Sequence, residues 1–260
     1  MRAHLRRRQR GVALFAVLVF MLLSMLLALW ASHTALFNEL VVSNDADYQR
    51  AYEAAEALLQ DAELDIRGEN ADGTPCAGTG AVCRKDPGIA QIPGEEQEIG
   101  PLLADLQSQT ATGGCRNALC IKRMGRQDFW NFTGDRVTPA ADATRGEVPL
   151  AAMQAAGARY GQYTGAATGS DGAPINPILS DRSAANRGGY YWIEVLPYDR
   201  SSQNASLIVP ADDAASSQSL LPLYMAPYVV YRITALAYGR KADTMVVLQQ
   251  GYARQRPQNP

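Results

Sequence analysis

The architecture of this chain is set by Arg6-Arg7-Arg8-Gln9-Arg10-Gly11 and by the apolar run that follows it. From Val12 to Trp30 only Ser24 is polar. Since an α-helix rises ~1.5 Å per residue, this run would be ~28 Å long. That length is close to the ~30 Å hydrocarbon core of a bilayer, so residues 12–30 are predicted to span a membrane.

The charges of the 260-residue chain are distributed unevenly. Five of the 24 Lys and Arg residues lie in the first ten positions, where there is no Asp or Glu. Basic residues beside a membrane segment stay on the cytoplasmic side, which places everything after Trp30 outside the inner membrane. The rest of the chain has 19 basic and 26 acidic residues, a net charge of -7, and this excess argues against a nucleic-acid partner.

The helix is predicted to continue well beyond the membrane. No proline or glycine occurs from Val12 to Arg67, and Gly68 is a plausible C-cap. The Ser43–Asp47 patch is the weakest point of this helix. From Tyr48 onward apolar residues recur at intervals of three and four, which predicts an apolar stripe that has to be buried. The stripe consists of Tyr48, Ala51, Tyr52, Ala55, Leu58, Leu59, Ala62 and Ile66.

Two simpler interpretations of the N-terminus are a secretory signal cleaved near Ala31 and an uncleaved signal anchor. The basic start fits both. The 19-residue apolar run is longer than the 7–15 residues of a usual signal peptide, and Leu29 and Trp30 offer no small-x-small cleavage site.

The basic leader that ends in Gly11, the apolar start and the unbroken amphipathic continuation resemble a type IV pilin-like protein. The segment Tyr48–Glu63 is similar to the N-terminal region of the PilX family of minor pilins. This resemblance implies cleavage by a prepilin peptidase between Gly11 and Val12, followed by N-methylation of Val12. It also implies that the subunit passes from the inner membrane, with its C-terminal domain in the periplasm, into a filament at the cell surface.

The partners that the resemblance implies are other minor pilins, the major pilin, the inner-membrane assembly platform and a tip adhesin. The function that it implies is priming of type IV pilus assembly, in support of twitching motility, adhesion or aggregation.

The chain departs from the pilin pattern at one position. Major pilins carry Glu as the fifth mature residue, and counting from Val12 this residue is Ala16. An isolated charge in a membrane costs ~2.5–3.5 kcal/mol on insertion scales. A subunit with no neighbour above it would leave such a carboxylate unpaired, so we hypothesise that Ala16 suits a position at or near the filament tip.

Cys76, Cys83, Cys115 and Cys120 all lie on the exported side, where an even number of cysteines predicts disulfides. Four cysteines allow three pairings, of which the two local ones, Cys76–Cys83 and Cys115–Cys120, are favoured. Spacings of six and four intervening residues with no nearby histidine argue against zinc.

The C-terminal third predicts an antiparallel sheet of about three strands at 190–196, 228–238 and 244–252, with a turn at 239–243. The stripe at 48–66 would cover this sheet, which gives an α+β, pilin-like fold. The predicted organisation is a leader at 1–11, a filament-core helix at 12–30, its amphipathic continuation at 31–68, a loop-rich region at 69–189, the sheet at 190–254 and a tail at 255–260. The loop-rich region has short helices at 101–109 and 148–157 and an aromatic core cluster at Phe129, Trp130 and Phe132.

Little in the chain points to catalysis. The only histidines are His4 and His33, neither in the exported domain, which argues against Ser-His-Asp and Cys-His enzymes. A Ser–Lys dyad with Lys85, Lys122 or Lys241 and a calcium site in loops 165–187 or 199–219 stay open. We expect a protein that is not an enzyme and that needs no metal or other cofactor.

Two rival functions remain. A minor pseudopilin of a type II secretion system, of the K type, would share the helix and the absent Glu at the fifth mature position, although that type usually has a larger headpiece. A membrane-anchored periplasmic enzyme is the other rival.

Overall fold

The computed structural model describes residues 9–77, 80–123, 127–132, 148–170, 173–197 and 225–255. The chain divides into two units, Met1–Asp47 and Tyr48–Pro260. The first unit is a stretch of helix, and the second, here called the headpiece, carries the sheet and the shorter helices.

Helix α1 runs from Gln9 to Arg67 and is helical without interruption through residues 43–47. The predicted long helix is therefore confirmed, and within the described residues it begins three positions before Val12. It ends as expected at Gly68, which has a φ of 68°. The Gly68 amide donates to Asp65 and the Glu69 amide to Leu64, the paired bonds of a Schellman cap.

Within the described ranges, the headpiece contains two further helices and seven strands. The helices are α2 (Ile99–Ser108) and α3 (Leu150–Ala156). The strands are β1 (Cys115–Arg116), β2 (Leu119–Ile121), β3 (Gly169–Ser170), β4 (Ala173–Pro174), β5 (Gly189–Pro197), β6 (Met225–Tyr238) and β7 (Met245–Gln255). Short 3-10 turns lie at Val82–Arg84, Glu96–Glu98, Thr110–Thr112 and Phe129–Asn131.

The main sheet has the order β1-β2-β5-β6-β7. The three predicted strands are β5, β6 and β7, and their antiparallel pairing is confirmed. The strand count was wrong, because β1 and β2 extend the sheet and β2 runs parallel to β5. These two strands are too short for a β-branched run, and they are joined by Asn117 and Ala118, whose φ angles of 51° and 66° make a two-residue hairpin turn without glycine.

The apolar stripe of α1 packs on the inner face of this sheet, as predicted. Ala51, Ala54, Leu58 and Ala62 are fully buried. They share a core with alternate residues of β5 and β6, namely Tyr191, Ile193, Val195, Val229, Tyr231 and Ile233. The approach is close: a β-carbon on Gly189 would lie 2.5 Å from Leu58 Cδ1.

The opposite face of the sheet has its own core. Trp192 packs edge-on against Phe129 with ring centroids 4.9 Å apart, and its indole N–H donates to Met153 of α3. Phe129 belongs to this second core and Trp130 is partly buried against it. The predicted helices 101–109 and 148–157 correspond to α2 (Ile99–Ser108) and α3 (Leu150–Ala156). The loop at 199–219 that was considered for calcium lies outside the described residues.

Candidate functional site

The first candidate surface is the apolar length of α1. Its large side chains are solvent-exposed around the whole helix, from Val12 at 70% through Phe20 at 72% and Trp30 at 71% to Val42 at 66%. A helix that is apolar all round belongs in lipid or inside a protein assembly. Among the described residues, α1 is the one helix long and apolar enough to cross a membrane.

Two hydroxyl groups of this segment are compatible with an apolar environment. Ser24 Oγ donates to the Met21 carbonyl at 2.9 Å, and Thr34 Oγ1 donates to the Trp30 carbonyl at 3.0 Å. These two hydroxyls are therefore satisfied within their own helix, which lowers the cost of removing them from water. Ala16 lies on this same segment and is partly exposed.

The second candidate site is a buried ionic network at the C-terminal end of α1. Arg84 donates from Nε and Nη2 to the two carboxylate oxygens of Asp65, both at 2.7 Å. The two side chains are 4% and 2% exposed. This bidentate geometry is the strong form of the pair, because two charge-assisted hydrogen bonds form in parallel inside a low-dielectric core.

Arg84 also connects three other parts of the headpiece. Its Nη1 donates to the carbonyls of Ala90 and Asn117, both at 2.9 Å. Its guanidinium lies 3.8 Å from the ring centroid of Tyr163. Asp65 in turn accepts a hydrogen bond from the Tyr191 hydroxyl at 2.9 Å, so the network joins α1 to the β1–β2 turn and to β5.

The Cys76–Cys83 disulfide lies in the loop that places Arg84 beside Asp65. Cys83 and Arg84 both have positive φ, 63° and 53°, a conformation that costs non-glycine residues energy. The Cys83 amide donates to the Tyr163 carbonyl at 2.8 Å, which fixes the loop at this point. The second disulfide joins Cys115 to Cys120 across the β1–β2 pair. These are the two local pairings favoured from the sequence.

Asp61, one turn before Asp65 on α1, forms a second buried contact. Its carboxylate accepts hydrogen bonds from the Gly161 amide at 2.7 Å and from the Thr164 hydroxyl. Burial raises the pKa of Asp61 to about 6, against the lowering effect of these two hydrogen bonds. The contact ties the helix to the turn at 161–164.

On the face of the sheet opposite α1, Glu194 of β5 pairs with Arg232 of β6 through two hydrogen bonds. Glu194 also accepts from the Arg123 amide at 3.1 Å, and Arg232 donates to Gln127. Within the described ranges, no three His, Cys, Asp or Glu side chains come together as a metal site. The 199–219 loop considered for calcium lies outside those ranges.

The sequence matches two family models. One, described as the N-terminal domain of PilX, covers residues 10–60. The other, described as the C-terminal domain of the type IV pilus assembly protein PilX, covers residues 116–254, more than half of the chain. The chain belongs to the PilX family. Comparison with curated proteins and with solved structures found no match.

PilX proteins are structural or assembly components of type IV pili, and their role rests on contacts with other pilus components in a membrane-associated assembly. The match at 10–60 contains the exposed apolar part of α1. Asp61, Asp65 and Arg84 lie between the two matched ranges, and their partners Tyr163, Thr164 and Tyr191 lie within 116–254.

Sequence reasoning missed the ionic network. Asp61 and Asp65 lie on one helix face at a spacing of four beside the apolar stripe, which was a signal that they face the core. Arg84 carried no signal, because its partner is 19 positions away and its loop conformation cannot be read from the residues.

Replacing Arg84 by methionine is expected to lower the free energy of unfolding by about 3–5 kcal/mol, because Asp65 is left as a buried, unpaired charge. The double variant Asp65→Asn/Arg84→Met should lose clearly less than the sum of the two single variants. Chemical denaturation of the full chain in detergent, followed by tryptophan fluorescence, measures this. Strict additivity would contradict the pairing.

The raised pKa of Asp61 predicts that the free energy of unfolding depends on pH. Its folded pKa of about 6 lies above the ordinary 3.8, so the folded state binds the proton more tightly than the unfolded state does. This contribution is complete below about pH 4 and is lost as the pH rises through 6, a change of about 3 kcal/mol. Asp61→Asn should remove this part of the pH profile of unfolding, whereas Glu53→Gln, on the exposed face of the same helix, should leave it. Identical profiles for Asp61→Asn and wild type would refute the assignment.

Proposed function

We propose that this PilX-family protein is a minor pilin that primes assembly of a type IV pilus and so supports twitching motility and adhesion. The observation that carries the proposal is the exposed apolar length of α1, which is continuous in one helix with a stripe buried in the headpiece. A large apolar side chain gains ~1.5–3 kcal/mol on leaving water, so this segment requires lipid or neighbouring helices around it.

The precursor is held in the inner membrane by residues 12–30, with the headpiece in the periplasm. A prepilin peptidase cleaves between Gly11 and Val12, and the new amine of Val12 is methylated. The mature subunit then exchanges lipid for the helices of other minor pilins and the major pilin as the assembly platform moves it into the filament. The headpiece gives lateral contacts there, including one to a tip adhesin.

In this proposal the protein acts by packing and catalyses no step itself. The Asp65–Arg84 network supports it by fixing the headpiece to the last turns of α1, so that a force applied to the helix is transmitted to the sheet through buried hydrogen bonds. Breaking one partner of such a buried pair is costly, which suits a subunit that is pulled during filament growth.

Deletion of the gene is expected to abolish or strongly reduce piliation and twitching and to leave type II secretion of enzymes intact. Complementation by Leu22→Met should restore twitching, since the helix stays apolar, whereas Leu22→Lys should not, because a charge at this depth costs ~2.5–3.5 kcal/mol. Normal twitching together with lost secretion would favour the pseudopilin function instead.

Ala16 motivates a more specific proposal, that the subunit lies at or near the tip. Ala16→Glu should then reduce piliation, because its carboxylate finds no amine above it, while the uncharged Ala16→Gln should have a smaller effect. Immunogold labelling of pili gives the position of the subunit. An Ala16→Glu protein that assembles at the same place and level as wild type would remove the basis of the tip argument.

A further inference from the structure

The outer edge of β7 is open among the described residues. In the sheet order β7 is a terminal strand, and its pairing is with β6 on one side. The other terminal strand, β1, has two residues, whereas β7 has eleven. A long open edge presents a row of backbone donors and acceptors that another chain can pair with.

The register identifies the groups at this edge. The Gly239 amide donates to Thr244 at the turn, and the Tyr238 amide donates to Gly188 on the other side of β6. Because hydrogen-bonded pairs alternate in antiparallel ladders, odd residues of β6 face β7 and even residues of β7 face β6. The odd residues of β7 therefore point their N–H and C=O groups outward: Met245, Val247, Gln249, Gly251 and Ala253.

This edge lacks the features that usually keep an exposed strand from pairing. From Thr244 to Ala253 there is no charged residue and no proline. Gly251 has open space where a β-carbon would be. Native proteins protect exposed edges with lysine, proline or bulges. The one register shift of the β6–β7 ladder lies at its end, between the pairs Val230–Ala253 and Met225–Gln255. An edge without charge, proline or register shift from Met245 to Ala253 is typical of a strand that is covered in its working state.

A cation marks one end of the edge. Arg254 lines an open pocket of about 160 Å³ beside the end of α1. The two acidic side chains of that pocket already have partners, Asp65 with Arg84 and Glu69 with Arg67. Arg254 makes no hydrogen bond or ion pair with any described residue, so the pocket has one positive charge to offer to an incoming carboxylate.

A second copy of this chain does not suit the edge in antiparallel pairing. Glu63 accepts from Gln250, and Arg67 lies close enough to Tyr252 to interact with it electrostatically, so the end of α1 and β7 run in the same direction. Antiparallel pairing of two β7 strands would turn these helix ends in opposite directions. Chains anchored in one membrane by the same end of α1 leave it in the same direction.

We propose that β7 is a strand-addition site that takes an extended segment of a different protein, with a carboxylate of that segment at Arg254. Backbone hydrogen bonds to the outward groups of β7 supply the affinity, and the carboxylate at Arg254 sets the register. This inference rests on the proposed function in one respect: the partner is taken to be another pilus component.

The test places a photo-crosslinking amino acid at Gln249 or at Gly251 of the full-length chain in its own cells, and maps the cross-linked peptides by mass spectrometry. The expected result is one segment of another pilus protein at both positions, with the cross-linked residue shifted by two between them. Side chains on one face of a strand recur every two residues, so a paired strand gives a shift of two residues. A helix or a random collision would not give this shift.

Two matched pairs of variants check the hydrogen bonds and the charge, with the crosslinker at Gly251. Gln249→Pro removes an outward N–H and leaves the β6 ladder intact, so it should reduce the cross-link about tenfold or more, whereas Gln249→Ala should keep it. Arg254→Glu should reduce it by a similar factor, and Arg254→Lys by about threefold at most.

Cross-links to a second copy, to residues 198–224 of the same chain, or without the two-residue shift would overturn the proposal. So would equal yields from Gln249→Pro and Gln249→Ala. The twitching of the deletion strain shows whether the proposed pilus function fails as well. If the deletion strain does not twitch but the cross-links show no strand addition, the strand-addition proposal fails and the minor pilin role stands.

Discussion

The headpiece depends on one buried interaction, the bidentate pair between Asp65 of α1 and Arg84 of the disulfide loop. Arg84 meets this carboxylate, two backbone carbonyls and the Tyr163 ring, while Asp65 also receives the hydroxyl of Tyr191. A hydrophobic core tolerates small sliding of a helix over a sheet. The Arg84 guanidinium does not tolerate such sliding, because its N–H donors point at acceptors in fixed positions. The pair therefore defines how the end of α1 lies on the sheet.

A second constraint is that the two parts of helix α1 need different environments. Its first part is apolar on every side and exposed, as at Phe20 and Trp30, whereas its last turns are apolar on one side and buried there. The stripe there is rich in alanine, so the helix comes close enough to the sheet for Leu58 to touch Gly189. The acidic residues Asp61 and Asp65 are placed where they gain partners rather than where they meet water. This division fits the proposed transfer of the subunit from a membrane to a filament.

Much of this could be predicted from the residues, because the deciding signals are local. The apolar run, the absence of glycine and proline before Gly68, and the β-rich segments gave α1, β5, β6 and β7. The strands β1 and β2 could not be found, because the first has two residues and the second three, and their turn at Asn117 and Ala118 has no glycine. The network at Arg84 could not be found either, since its partners come together only when α1, the disulfide loop and β5 have folded. The membrane surface is thus readable in sequence, and the polar interior is a property of the tertiary structure.

The N-terminus of the mature protein distinguishes a pilin-like helix from a permanent membrane anchor and from a cleaved signal peptide. Pili sheared from cells, or membranes from a strain that does not assemble them, would supply the protein for mass spectrometry of its N-terminal peptide. A temporary membrane helix destined for a filament core predicts a chain that starts at Val12 with a methylated amine. A chain that starts at Met1, or near Ser32 after removal of the apolar run, would contradict it.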